Sequence, residues 1–171
     1  MESRLTKRPP AVDATASFTL RAAVPDDEPF LFEVYRSTRA EEMAAWGWGE
    51  AQQDAFLRLQ FTAQRLAYGA QFPDAEQMII LEGEHLIGRI LIDRRDEEIY
   101  LVDITLLAER RGAGAGTSLM RELQREAAAA SKPVRLRVMK TNRAVRFYER
   151  LGFSKIDESD THFRMEWLPG A

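Results

Sequence analysis

The stretch Ile99–Ala130, IYLVDITLLAERRGAGAGTSLMRELQREAAAA, decides how this chain folds. Ile99, Leu101, Val102, Ile104, Leu106 and Leu107 supply the apolar density of a buried strand. The polar break Ala108-Glu109-Arg110-Arg111 ends it, and Gly112-Ala113-Gly114-Ala115-Gly116 follows. Beyond the glycines, Leu119, Leu123 and Ala127 recur every four residues, the period of one helix face. Strand, glycine loop and helix start in this order aim several backbone N–H groups, and the positive end of a helix dipole, at one point. That makes a ready seat for an anion, most often a phosphate. Glycine suits such a loop because a Cβ would hold the ligand off the backbone, and because tight loops often need a positive φ.

Spacing separates the families of glycine loop. A Walker-type loop needs Gly-Lys-Ser/Thr four residues after its first glycine, and no lysine follows these glycines. The dinucleotide fingerprint needs G-x-G-x-x-G; counted from Gly112 the sixth position is Thr117, and from Gly114 it is Leu119. The spacing that fits is Arg-x-x-Gly-x-Gly, at Arg111, Gly114 and Gly116. It resembles the acyl-CoA pyrophosphate loop of the GNAT superfamily of N-acetyltransferases. Taken alone, the same residues would also serve as a glycine-rich turn capping a core helix.

Upstream of this stretch, residues 1–16 are polar, proline-containing and aperiodic, and read as a flexible arm ahead of one domain spanning 17–171. Ser17–Ala22 (SFTLRA) alternates as a first strand, and Pro25-Asp26-Asp27-Glu28 opens a helix running to about Ser37. Trp46-Gly47-Trp48-Gly49 forms an aromatic bend that either packs a helix junction or walls a substrate pocket. A long helix from about Glu50 to Tyr68 follows, with Phe56, Leu59 and Ala63 at helical spacing. Gln53, Gln60 and Gln64 fall near one another on it, either solvated or in contact with a polar substrate. Trp48, Gln60 and Gln64 are therefore candidate substrate contacts. Gln77–Glu82 and Leu86–Asp93 are strands joined at Gly83-Glu84, so three consecutive antiparallel strands lead into the glycine loop.

Composition narrows the function. A chain of 171 residues with 45% hydrophobic and 30% charged content fits one globular domain. A net charge of −3 gives no global basic field for nucleic acid. The absence of cysteine removes thiolate zinc sites and thiol nucleophiles, and two histidines are too few for a His-based metal cluster; a carboxylate-only site stays open, and no metal is expected. No apolar run approaches the roughly 18–20 residues of a membrane span. Lys7-Arg8 is followed by Pro-Pro rather than an apolar signal region, so the expected location is cytoplasmic.

Downstream, Lys132-Pro133 ends the alanine-rich helix, Val134–Met139 (VRLRVM) alternates as a strand, and a second informative stretch begins. In Asn142-Arg143-Ala144-Val145-Arg146-Phe147-Tyr148-Glu149-Arg150-Leu151-Gly152-Phe153, Asn142 or Thr141 suits an N-cap and Gly152 a left-handed C-terminal residue. Phe153–Ile156 and His162–Trp167 then read as a final strand pair. The pattern N-x-A-x-x-F-Y-x-x-x-G-F is similar to the second signature of the GNAT superfamily, one helix and one strand after the first. Together the two signatures and the strand pattern carry the resemblance from Ser17 to Leu168.

The resemblance implies an α/β (α+β) GNAT fold. Its mixed central sheet has six to seven strands, largely antiparallel, with a splayed central parallel pair and about four flanking helices. It implies that Ile104, Thr105 and Leu106 pair with the pantetheine of acetyl-CoA. The pyrophosphate would sit on Gly112, Ala113, Gly114, Ala115, Gly116 and Thr117, with Ser118 close by. Arg111 takes the position that opens the loop, Asn142 that of the asparagine reaching the pantetheine or acetyl end, and Tyr148 that of the tyrosine beside the thioester sulfur. A phenol there can protonate the leaving thiolate, and a backbone N–H near Leu106 can stabilise the oxyanion. Asp103, a carboxylate in an apolar strand, is either the base that deprotonates the amine or a structural partner of Arg89 or Arg137. Glu97, Glu98, Tyr100 and water are the other candidates for that base. His85 and His162 read as solvated or packed.

The function implied is an acetyl-CoA-dependent N-acetyltransferase acting on a small-molecule or peptide amine in a ternary complex. The alternative is a non-catalytic acyl-CoA-binding or regulatory module on the same fold, which Tyr148 argues against. A ligand-free interaction domain is disfavoured because three glycines at a helix start cost stability without a ligand to admit. Glu41, Glu42, Asp54, Glu97 and Glu98 near the pocket would suit a cationic acceptor, unless they are simply solvated. The final strands and the N-terminal helices are the surfaces on which a homodimer would form.

Overall fold

The computed structural model describes residues 17–170; the N-terminal arm, residues 1–16, lies outside the described residues. Seven strands are present: β1 (Phe18–Ala22), β2 (Glu76–Glu82), β3 (His85–Arg94), β4 (Ile99–Leu106), β5 (Val134–Met139), β6 (Ser154–Glu158) and β7 (His162–Trp167). They form one sheet in the order β1-β2-β3-β4-β5-β7-β6. Only β4 and β5 run parallel, and the other neighbours are antiparallel. Five α-helices flank the sheet: α1 (Glu28–Ser37), α2 (Ala40–Ala44), α3 (Glu50–Gln71), α4 (Ala115–Ala129) and α5 (Ala144–Arg150). The helix beyond the four foreseen is α2, a short turn of chain ahead of the tryptophan bend.

Strand alternation divides the core into two layers. Ile79 and Ile80 on β2 point to opposite faces, and both are fully buried. On one face Leu119, Met120, Leu123 and Ala127 of α4 pack with Ile90, Ile92, Leu101, Val134, Leu136 and Val138. On the other, Leu31, Phe32 and Tyr35 of α1, Met43 of α2, and Leu57 and Phe61 of α3 cover Ile79. Each large aliphatic side chain so buried contributes about 1.5–3 kcal/mol.

The α3 stripe differs from the spacing read in the sequence. Its inner face runs Leu57, Phe61, Gln64 and Tyr68, whereas Leu59 is 70% exposed and Ala63 is on the surface. A stripe whose second half is polar scores poorly as a core face. The reason for those polar residues lies beneath them, on β3 and β4.

Two irregularities shape that region. Pairing of β3 with β4 skips a residue: Leu91 faces Asp103, but Ile92 faces Leu101, so Val102 is bulged out. The bulge inverts the alternation. Leu101, Ile104 and Leu106 pack toward α4, and Asp103 and Thr105 turn to the face that carries Arg89. Gly88 permits the close crossing further along, because a Cβ there would run into the Thr105 carbonyl oxygen. The parallel pair then separates. Pairing between β4 and β5 is confined to Ile99–Leu101 against Val134–Leu136, although β4 continues to Leu106 and β5 to Met139. A cleft opens where the ladder stops.

Candidate active site

The cleft widens into a cavity of about 760 Å³. One wall is β4 from Leu101, where its pairing with β5 ends, to Thr105 on the unpaired edge, and the facing wall is Leu136–Met139 of β5. Asn142, Ala144 and Tyr148 close it on the α5 side; Tyr35, Thr38, Arg39, Gln64 and Tyr68 cover it from α1, α3 and the turn after α1. Arg111 marks the end nearest the glycine turn.

The turn has the geometry that its glycines suggest. Gly114 sits at the start of α4 with φ 91°, a left-handed conformation that glycine adopts freely and other residues rarely adopt. The first helical bond runs from Ser118 N to Gly114 O at 2.9 Å. The N–H groups of Ala115, Gly116 and Thr117 therefore have no acceptor within the helix, and no side chain caps them. Arg111 folds back so that its Nε donates to the Leu106 carbonyl at 3.1 Å, tying the turn to the end of β4. An unpaired strand edge leading to an uncapped helix start fits an extended chain that ends in a phosphate.

Tyr148 lies on the buried face of α5, in edge contact with Phe153 and beside Phe147, and 7% of its surface is exposed. Burial, and secondarily the charge of Asp103, push its phenol well above the ordinary tyrosine range. It makes no side-chain hydrogen bond among the described residues, so its proton is uncommitted. Asn142 sits just ahead of α5, and its Oδ1 accepts the Ala144 N–H at 2.9 Å.

Asp103 stands in a polar cluster under α3. Its carboxylate accepts from Arg89 Nε at 3.0 Å and from Thr105 Oγ1 at 3.2 Å. Arg89, itself buried, donates a second bond to Gln64 Oε1 at 2.8 Å. Gln64 thus occupies the inner face of α3 to meet an arginine. Tyr68, one turn on, is pushed upward by burial and then by Asp103.

Of the proposed substrate contacts, Gln64 lines the cavity and the other two do not. Trp48 packs edge-on against Trp46 and Phe56, ring centroids 5.0 and 5.4 Å away, as an aromatic knot beside α3. Gln60 lies at 3.4 Å from the Tyr35 hydroxyl, one turn short of the opening. Ile104, Thr105, Arg111, Asn142, Tyr148 and Asp103 all line the cavity, and Gly112–Ser118 continue beyond its Arg111 end.

Several lining residues are not read as site residues in the sequence, where Arg137 enters only as a structural partner for Asp103 and His162 only as solvated or packed. Arg137 alternates with Leu136 and Val138 on β5 and so faces away from the α4 core. His162 sits opposite Met139 across the β5–β7 ladder; its Nδ1 lies 2.7 Å from Thr161 Oγ1 and 3.5 Å from Arg137. Burial, and then Arg137, shift His162 downward, toward the neutral ring. Tyr35, Thr38, Arg39, Tyr68 and Arg143 complete the set. Tyr68 alone had a legible signal, lying seven residues after Phe61 on one helix face.

A family model described as "Acetyltransferase (GNAT) domain" matches residues 48–169. No curated protein matches the chain. Among solved structures, PaiA N-acetyltransferase from Thermoplasma acidophilum in complex with coenzyme A superposes with a TM-score of 0.67. It is 22% identical and covers 89% of this chain and 99% of its own. Ribosomal-protein-S18-alanine N-acetyltransferase from Escherichia coli gives 0.60 at 16% identity, over 91% and 96% of the two chains. An acetyltransferase from Thermus thermophilus gives 0.64 at 15%, over 89% and 97%. Sheet order, the split parallel pair, the glycine turn and the matched domain agree, and the chain belongs to the GNAT acetyltransferase family.

Proposed function

We propose that this protein is an acetyl-CoA-dependent N-acetyltransferase that moves the acetyl group to a primary amine with both substrates bound together. The observation that carries the reading is the single opening between β4 and β5, which joins the uncapped start of α4 to a buried phenol. The Thermoplasma acidophilum relative with this fold was solved with coenzyme A.

On this reading Ile104, Thr105 and Leu106 pair through their backbone with the pantetheine arm, and the N–H groups from Gly112 to Thr117, with Ser118, receive the pyrophosphate. Arg111 and Asn142 hold the two ends of the arm. When bound, the donor supplies a thioester acyl group, and the chain supplies position and protons. Tyr148 Oη gives its proton to the departing sulfur; its raised pKa keeps that proton in place at neutral pH. Asp103 is the carboxylate that the incoming amine meets, and we assign it the amine's proton. Gln64 fixes its partner Arg89 from above.

Donor binding is tested by thermal melting. Acetyl-CoA at one hundred times its Kd stabilises by about 2.7 kcal/mol, a rise of several degrees in Tm. Gly114→Glu should abolish the rise, since it places a carboxylate where the phosphate sits and forces a side chain onto a left-handed φ. No shift at millimolar acetyl-CoA in the parent protein would end the proposal. Transfer itself is read by release of free CoA across amines, amino acids, polyamines and peptide N-termini.

A further inference from the structure

The charges that line the acceptor side of the cavity are not those that the acidic composition suggests. Glu41, Glu42, Asp54, Glu97 and Glu98 are all absent from its lining. Glu98 is spent on Arg95 and Arg135, Asp54 on Arg58 and Arg36, and Glu42 on Arg39. The charged side chains that do line it are Arg39, Arg89, Arg111, Arg137 and Arg143, against Asp103 as the one carboxylate. Arg89 is neutralised by Asp103. Arg111 lies at the glycine turn, where the donor's phosphates are proposed to bind, and Arg143 flanks Asn142, which is proposed to hold the other end of the donor's arm.

Arg137 remains. On its face of the sheet, Arg135 pairs with Glu98 and Glu166, Arg95 with Asp93 and Glu98, and Arg164 with Asp157. Arg137 has no carboxylate partner among the described residues, and its nearest polar neighbour is the His162 ring at 3.5 Å. It projects from β5 opposite Asp103 of β4, on the far side of the split, and Arg39 enters the same space from the turn after α1. Arg137 is exposed in the open cleft with its guanidinium unneutralised, so it is free to take an anionic group of a ligand.

We infer that the acceptor is an amine that also bears an anionic group, an amino acid or similar amino-carboxylate. Its carboxylate meets Arg137 with Arg39 nearby, and its amino group meets Asp103. This rests on the acetyltransferase reading above and deepens it. A diamine or polyamine would face an excess of positive charge at this wall. A zwitterion suits the two walls: Asp103, whose carboxylate is shared with Arg89, can still accept from the amine on one side of the cleft, and Arg137 is the unpaired cation on the other. The guanidinium can take a carboxylate through two parallel N–H bonds, which also fixes where the amine points.

The test compares acceptors that share a side chain and differ at the carboxyl: a panel of L-amino acids against their own carboxamides, with spermidine as the polycation. It is run at a pH above the amine pKa of both members of each pair and followed by CoA release. For the parent enzyme kcat/KM should favour the carboxylate member of its best pair by at least about tenfold, the worth of one charge-assisted hydrogen bond. Arg137→Gln should bring that ratio to within about threefold, chiefly through KM. Arg164→Gln, its cross-strand neighbour outside the cavity, should leave the ratio as in the parent. Preference for the carboxamides or spermidine overturns the inference, as does an Arg137→Gln enzyme that keeps the full ratio. Turnover with none of the panel, while acetyl-CoA still raises Tm, also overturns it and leaves donor binding standing. Loss of the Tm shift in the parent would instead fail the acetyltransferase reading itself.

Discussion

Tyr148 shows how one residue acquires a role from its surroundings. On a short amphipathic helix a tyrosine this buried would ordinarily be core, and Tyr148 does pack against Phe153. What separates it from core is that its ring reaches the cleft and its hydroxyl has no partner there. Tyr148→Phe removes one oxygen and little packing, so the variant should keep its acetyl-CoA Tm shift and lose roughly 10²-fold in kcat. An unchanged kcat would take Tyr148 out of the mechanism. The sign of its pH dependence follows from the direction of the shift. In the proposed mechanism the protonated phenol is the active form and burial raises its pKa, so this group should cost no activity as pH rises through 9. Its alkaline limb should fall above the ordinary tyrosine value of about 10, as a pH profile of kcat would show. The motif made Tyr148 legible in the sequence. Asp103 was legible only as a choice between base and arginine partner. The Arg89 contact came from the Val102 bulge, and no pattern in a strand of continuous apolar character announces a bulge.

At the scale of elements, hydrophobic period located nearly every strand and helix, because each strand and helix buries one face. It failed where a face is shared between packing and site. On α3 the regular repeat Phe56, Leu59, Ala63 competed with the true inner line Leu57, Phe61, Gln64, Tyr68, and the polar half of that line concealed it. The Trp46–Trp48 pair leaves two readings open, a packed helix junction or a pocket wall, and the rings pack on Phe56. The β1–α1 corner offers a clean test of what fixes these elements in place. Asp27 accepts from the Val24 N–H at 2.8 Å and binds both terminal nitrogens of Arg21 at 2.7 Å, while its own N–H returns to Val24 O. These bonds, the Arg21 pair first and the backbone bond next, hold its carboxyl down to about 2. Asp27→Asn should therefore cost about 2 kcal/mol at pH 7. A group with a depressed folded pKa stabilises above its unfolded value, here 3.8, and loses that contribution as pH falls toward about 2. Urea unfolding of parent and variant should differ at pH 7 and converge between pH 4 and pH 2. A difference that persists at pH 2 would show that shape, not charge, holds the corner.

For the whole molecule, net charge and local field point in opposite directions. The chain carries 24 basic and 27 acidic residues, a formal −3, and should repel a polyanion at long range. Within the cleft the balance reverses, while surface carboxylates are consumed in ion pairs with arginines and a lysine outside it. Arg111, Arg137 and Arg143 face the cavity without carboxylate partners among the described residues. On the proposed function, attraction of coenzyme A is then short-ranged, and it is screened once the Debye length, about 10 Å at 0.1 M salt, shrinks to the width of the cleft. The affinity for CoA, measured by calorimetry, should weaken several-fold between about 0.05 and 0.5 M NaCl, against what the protein's overall sign predicts. The double variant Arg111→Gln, Arg143→Gln should bind less tightly at low salt and show a flatter slope. An affinity that rises with salt would mean that repulsion from the acidic surface governs the encounter, and that the glycine turn works through its backbone N–H groups without help from these two arginines.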